Sequence, residues 1–240
     1  MNTILFPSDS RGHANHGWLN TYHSFSFANY FHPDRINFGA LRVLNDDSIA
    51  GGKGFGSHPH SNMEIITIPL SGSIQHQDSM GHTEVIKPGE VQVMSAGKGI
   101  VHSEFNADNV NELKLFQIWI LPNEKDVVPR YDQKSFNFSV KNEWISIVSP
   151  KNFKDANLWI HQEAWLHLGY FDKDFNVEYY LNKSDNGIYL MVIEGSFSVN
   201  GQNLNARDAI GIWEAGFVTI QATSKNSRIL LIEVPMISIN

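Results

Sequence analysis

No long stretch of this chain carries the 3.6-residue spacing of apolar side chains that a helix requires. The sequence breaks instead into short β-branched and aromatic runs separated by glycine and polar turns. Glu64-Ile-Ile-Thr-Ile-Pro-Leu70, Val91-Gln-Val-Met94 and Leu113-Lys-Leu-Phe-Gln-Ile-Trp-Ile-Leu121 are strand candidates, the last ended by Pro122-Asn123. Ile188-Tyr-Leu-Met-Val-Ile-Glu194 and Arg228-Ile-Leu-Leu-Ile-Glu-Val234 repeat the style near the C-terminus. Many short strands at this spacing predict an all-β sandwich or barrel.

A weak internal repeat refines the expectation. Leu70-Ser-Gly-Ser-Ile74 resembles Ile193-Glu-Gly-Ser-Phe197, and each opens a hairpin-like segment. Val199-Asn-Gly-Gln202 adds a tight-turn signal, because Asn-Gly accepts positive φ. With 240 residues, 42% of them hydrophobic, the chain is long enough for two copies of one β-fold of about 100 residues each. The polar stretch Pro122–Ser135 is the expected boundary, giving domains 1–130 and 131–240.

Composition removes several function classes. Net charge is −7 and no block of lysine or arginine stands out, so neither a nucleic-acid footprint nor an anionic-lipid patch is expected. Without cysteine there is no disulfide, thiolate metal site or cysteine nucleophile. Residues 1–25 lack a basic segment followed by an apolar run, and stretches such as Ile229-Leu-Leu-Ile232 are too short to span a bilayer. The expectation is a soluble, cytoplasmic protein, and a monomer, since no heptad or long apolar edge is visible.

Two clusters carry the chemistry. Gly56-Ser-His58-Pro-His60 and Gly99-Ile-Val-His102-Ser-Glu104 each place two ligand-type side chains at i, i+2, on one face of a strand. On neighbouring strands the two pairs could close on one metal. Three neutral imidazoles and a carboxylate suit a divalent transition metal, with two positions of an octahedral iron left open. Pro59 stiffens the first pair and marks an edge strand or strand start, and glycine-rich approaches precede both clusters. Glu64 competes as the carboxylate, but it lies roughly 13 Å beyond His60 on a straight strand, whereas Glu104 is roughly 6.6 Å from His102. Glu104 is therefore the preferred ligand, and Glu64 a group that lines the pocket or supports the ligands from behind. His13, His16, His23 and His32 are read as packing or surface groups. The run Tyr22–Phe31 is read as core, and His76 with Asp78 as a structural pair. His82, His161 and His167 lack ligand partners nearby in sequence. The second copy has no histidine in Asn176–Lys183 and no counterpart of His102 or Glu104, so it is read as a scaffold without metal.

These segments resemble the pirin family of the cupin superfamily. The resemblance rests on His23-Ser-Phe-Ser-Phe27, Phe38-Gly-Ala-Leu-Arg-Val-Leu-Asn-Asp46, Gly54-Phe-Gly-Ser-His-Pro-His60, Met63-Glu64, His76-Gln-Asp-Ser79, and Gly89-Glu-Val-Gln-Val-Met94 continuing to Glu104. It implies a bicupin, two antiparallel β-barrel (jelly-roll) domains face to face, with metal only in the N-terminal one. It implies His58, His60, His102 and Glu104 as ligands, Fe(II) as the ion, and cleavage of flavonols such as quercetin with O2. Glu104 would double as a base, and Glu64 would be a weaker candidate for handling a proton. The family also contains proteins that act through protein partners, so the alternative is a non-catalytic, redox-sensing regulator. The chain departs from the family at Ser61, where a basic residue is frequent, at Asn62, where glycine is, and at Val93, where tryptophan is.

Overall fold

The computed structural model describes residues 1–154 and 156–237, and in it nearly all regular structure is strand. The N-terminal half contains β1 (Asn2–Phe6), β2 (Gly12–Asn15), β3 (Leu19–His23), β4 (Leu41–Ile49), β5 (Gly54–His60), β6 (Glu64–Ser71), β7 (Ile74–Asp78), β8 (Thr83–Ile86), β9 (Glu90–Ser95), β10 (Ile100–Asn106), β11 (Leu113–Ile120) and β12 (Arg130–Ser135). The C-terminal half contains β13 (Trp144–Pro150), β14 (Leu158–Ile160), β15 (Trp165–Phe171), β16 (Asn176–Tyr180), β17 (Asn186–Glu194), β18 (Ser196–Val199), β19 (Gln202–Asn205), β20 (Ala209–Trp213), β21 (Phe217–Ala222) and β22 (Ser227–Pro235). No helix among the described residues is long and apolar enough to cross a membrane.

The strands form two barrels of the same plan. A seven-stranded sheet β12-β9-β6-β11-β4-β3-β2 faces a four-stranded sheet β5-β10-β7-β8; in the second barrel β1-β20-β17-β22-β15-β13-β14 faces β16-β21-β18-β19. Pairing is antiparallel apart from β13 with β14. The repeat seen in sequence is the β6–β7 turn and the β17–β18 turn, where Gly72 and Gly195 take φ of +74° and +75°. That left-handed backbone is inexpensive only for glycine.

The barrels exchange edge strands. β1 precedes the first barrel but pairs with β20 in the second, while β12 precedes the second barrel but pairs with β9 in the first. Beside the expected division into 1–130 and 131–240, the chain's first strand pairs within the sheet of the C-terminal barrel and Arg130–Ser135 within that of the N-terminal one. A short edge strand advertises its own extended conformation, not the edge it will join.

The two large sheets pack face to face. Ile66, Ile68, Phe116 and Ile118 from one meet Leu166, Tyr189, Leu230 and Ile232 from the other in one shared apolar layer. Strands there are buried on both faces, which is why β17 and β22 read as continuous apolar runs. The barrel interiors differ. The C-terminal one is filled by a single apolar cluster that includes Phe171, Leu190, Phe197, Val218 and Leu231. The N-terminal one holds two small clusters, around Ile74 and Leu115 and around Ile65 and Met94. The same barrel also buries a polar set that includes Thr67, His76, His102, Glu104 and Gln117.

Candidate metal centre

The polar set begins with β10, whose burial alternates along its length. Ile100, His102, Glu104 and Asn106 are buried in turn, so the strand's inward positions carry ligand-type side chains where a core strand would carry apolar ones. In β21, which occupies the matching place, the buried positions are Val218, Ile220 and Ala222.

β5 is the outer strand of the small sheet and pairs with β10, setting His58 opposite His102 and His60 opposite Ile100. Pro59 is tolerated there because an outer strand has one side without a ladder partner. A bulge follows: three steps along β5, from His58 to Phe55, oppose two along β10, from His102 to Glu104. Gly54 lets the strands approach, since a Cβ there would meet the Glu104 carbonyl. The turn leaving β5 uses Asn62 at φ +49°, with its side chain bonded to the backbone and carboxylate of Asp126.

The result is a histidine trio. The rings of His58 and His102 are 4.4 Å apart, and each lies 4.9 Å from His60. One nitrogen of each lies within 4.8 Å of the others, close enough to share a metal ion. His58 Nδ1 donates to the Gly56 carbonyl at 2.7 Å, which leaves Nε2 bare. His102 Nε2 is buried and has no hydrogen-bond partner. Burial, and then His58, brings the His60 imidazole down to about 4. Burial and the surrounding histidines bring His102 down to about 2. Both are neutral at physiological pH, the state in which an imidazole coordinates a metal.

Glu104 is buried beside the trio. Its ligand oxygen groups with His102 and His76 within 4.8 Å. Gln117 Nε2 donates to both carboxylate oxygens, at 3.2 and 3.0 Å, and Gln117 Oε1 accepts from Thr67 at 3.0 Å. Burial raises the Glu104 carboxyl to about 7 against the opposing effect of Gln117.

Glu64 is placed elsewhere. Ile66 and Ile68 of β6 face the other barrel, whereas Ile65 packs inside the N-terminal one and Thr67 bonds Gln117. Glu64 shares the parity of Ile66 and so faces the domain interface, where Ser95 Oγ donates to it at 2.7 Å and Arg130 and His161 lie nearby. Its carboxyl, raised to about 7 by burial, does not line the cavity described next.

A cavity of about 550 Å³ opens against His58 of the trio and Glu104. Trp18, Phe27, Tyr30, Phe55 and Trp119 form aromatic walls, and Thr21, His23, Asn45 and Asp47 a polar one. His23 Nδ1 bonds Asn45 Oδ1 at 2.8 Å, and burial raises the Asp47 carboxyl to about 7. Phe27 and Tyr30 come from the aromatic run expected to be core. The aromatic content of that run is its only signal, because a loop that folds back over a barrel mouth has no periodicity to reveal it.

The second barrel has the same scaffold without the chemistry. Counting from the two glycine turns and the strand registers, His58, His60, His102 and Glu104 correspond to Tyr179, Leu181, Val218 and Ile220. Its buried Glu233 is already saturated by the Tyr179 hydroxyl, Asn182, Lys183 and Asn186.

Comparison with known proteins agrees with this architecture. Residues 7–120 match the family model Pirin, and residues 146–234 match that of the quercetinase C-terminal cupin domain. The chain is 42% identical over 231 residues to the quercetin 2,3-dioxygenase of Escherichia coli (strain K12), covering 96% of this chain and 98% of that protein. It is 40% identical over 226 residues to a pirin-like protein of Caulobacter vibrioides, covering 94% and 97%. The crystal structure of the bacterial pirin YhhW from Escherichia coli in complex with nickel(II) superposes with a TM-score of 0.92 at 40% identity, covering 98% of this chain and all of that one. By sequence along nearly its whole length and by fold, the chain belongs to the pirin family of two-barrel cupin proteins.

Proposed function

We propose that this chain is a metal-dependent dioxygenase that cleaves flavonols such as quercetin with O2, and that His58, His60, His102 and Glu104 hold one Fe(II) ion for the reaction. The observation that carries this reading is the junction of the histidine trio with an aromatic-walled cavity, with His58 belonging to both. The donor set fits a divalent metal. A buried polar atom left without a partner, as His102 Nε2 is, costs about 1–3 kcal/mol, and a bound cation would remove that cost. The names of the relatives support the substrate class, and the nickel-bound relative supports a metal.

Bound Fe(II) would supply open coordination positions and the positive charge that favours the anionic form of a flavonol 3-hydroxyl. The chain's own residues supply the rest. Phe27, Tyr30 and Trp119 offer ring faces and edges to a flat polycyclic substrate and exclude water around it. Trp119 also stands edge-on to His60, with centroids 4.9 Å apart, and limits how that ring turns. Glu104 lines the cavity beside His58 and is placed to receive the 3-hydroxyl proton. Thr21, Asn45 and Asp47 face the cavity from another wall and suit the hydroxyl groups of the substrate. Glu64 has no part in this reading.

Reaction under ¹⁸O2 with Fe(II)-loaded protein tests it. Both labelled atoms are expected in the ring-opened product. Incorporation of one atom or none, with flavonol consumed, would exclude dioxygenation.

A further inference from the structure

Behind His102, a line of polar side chains runs through the small sheet to the surface. β7 and β10 are antiparallel neighbours, in a register that sets His102 opposite Asp78 and Glu104 opposite His76. His76 is completely buried, and its Nε2 lies 3.1 Å from Asp78 Oδ2. The backbone N–H groups of Met80 and His82 donate to Asp78 Oδ1 at 2.8 and 3.2 Å, and His82 Nδ1 lies 2.9 Å from Oδ2. The side chain of His82 is 38% exposed, so the line reaches solvent.

Hydrogen-bond polarity orders this line. An ionised carboxylate only accepts, so His76 Nε2 carries the hydrogen and, with the ring neutral, Nδ1 is an acceptor. Two groups face that acceptor: the Gln92 amide nitrogen at 3.4 Å and His102 Nδ1 at 3.5 Å. His102 meets the acceptor as an Nδ1–H donor, which leaves its Nε2 bare. That is the atom found buried without a partner. His58 reaches the same tautomer through the Gly56 carbonyl.

We propose that His76 and Asp78 are positioning residues for the metal centre, holding His102 with Nε2 toward the ion and passing the negative charge of Asp78 to that ligand through the His76 imidazole. The inference rests on the metal assignment proposed above. Metal-bound histidines commonly give their second N–H to a carboxylate or carbonyl, which orients the ring and makes it a stronger donor. Here an extra imidazole stands between ligand and carboxylate. A stronger donor stabilises the more oxidised ion, so the line also lowers the potential of a bound iron.

Equilibrium binding of Co(II) to the 240-residue chain tests this, using wild type, His76→Leu, His76→Gln and Asp78→Asn. His76→Leu is expected to lose about 10–100-fold in affinity. His76→Gln, which offers an amide oxygen to His102, should recover most of that loss. Asp78→Asn should shift the visible Co(II) bands and raise the Fe(III)/Fe(II) potential of iron-loaded protein. Equal affinity losses in both His76 variants, with unshifted Co(II) bands in Asp78→Asn, would mean a merely structural role and overturn it. Complete loss of metal in His76→Leu and His76→Gln would make His76 a ligand and also overturn it. Wild-type protein that binds Co(II) with variants matching it overturns this proposal alone, whereas wild type that binds none overturns the metal assignment and this proposal with it.

Discussion

Gln117 Nε2 donates to both oxygens of Glu104, at 3.2 and 3.0 Å, while its own oxygen accepts from Thr67 at 3.0 Å. The acceptor-only carboxylate fixes which end of the Gln117 amide faces it, and the Thr67 hydroxyl donates to the other end. Three strands, β6, β11 and β10, are tied together in the barrel interior by this chain, and the second barrel has Leu190 and Leu231 at the places of Thr67 and Gln117. Gln117→Leu should leave Glu104 buried without its donor and reduce metal affinity by about 10–100-fold. Competition against a chelator measures this, with the far-UV spectrum unchanged.

Glu104 also sets a pH dependence. Its folded value of about 7 stands above the ordinary 4.5, so the folded state holds the proton more tightly than the unfolded one. The stability it contributes is fully present below about pH 4.5 and is lost as pH rises through 7. His60 and His102, held down at about 4 and about 2, act with the opposite sign over a window ending at 6.5. The difference between metal-free wild type and metal-free Glu104→Gln isolates the carboxyl. Wild type should lose stability relative to the variant between pH 5 and 7.5, by about 1.4 kcal/mol per pH unit at most, read as a falling Tm. A constant difference across that range would contradict the placement of Glu104.

The aromatic walls should govern substrate affinity more than turnover. Tyr30→Ala or Phe27→Ala removes a ring face from the cavity. An aromatic pair contributes about 0.5–1.5 kcal/mol beyond area burial, so flavonol binding should weaken by roughly 3–10-fold. Quenching of the Trp18 and Trp119 fluorescence reports it directly, since both indoles line the same cavity.

The barrels should unfold together. Ile66 lies in the layer shared between them, and Ile66→Ala should cost about 2–5 kcal/mol while leaving metal affinity unchanged, because the side chain faces away from the site. Removing β1 should act on the other half: hydrogen-exchange protection of Ala209–Trp213 falls, and that of Ile100–Asn106 persists.

The legible parts of this protein are those where one strand face is wet or polar. β10 alternates cleanly, so its sequence alone assigns His102 and Glu104 to one face. Glu64 escapes such an assignment, because β6 is buried on both faces, toward the barrel interior and toward the second barrel, and its apolar run hides which parity faces which. β1 reads as the start of the first domain because sequence order says nothing about which edge a strand completes. His76 pairs with Asp78 in sequence because their i, i+2 spacing is visible, whereas the register that brings His76 to His102 belongs to the pairing of β7 with β10. Phe27 and Tyr30 read as core because aromatic content marks burial equally well against protein or against a ligand.

The most direct test is oxygen uptake with simultaneous loss of flavonol absorbance, using anaerobically Fe(II)-loaded wild type beside His58→Ala and Glu104→Ala. Stoichiometric metal and turnover are expected in the wild type, and loss of metal or of turnover in both variants with the β-rich spectrum retained. Full metal occupancy and undiminished turnover in both variants would contradict the assigned site. A fully occupied wild type that consumes neither oxygen nor flavonol would contradict the assigned function.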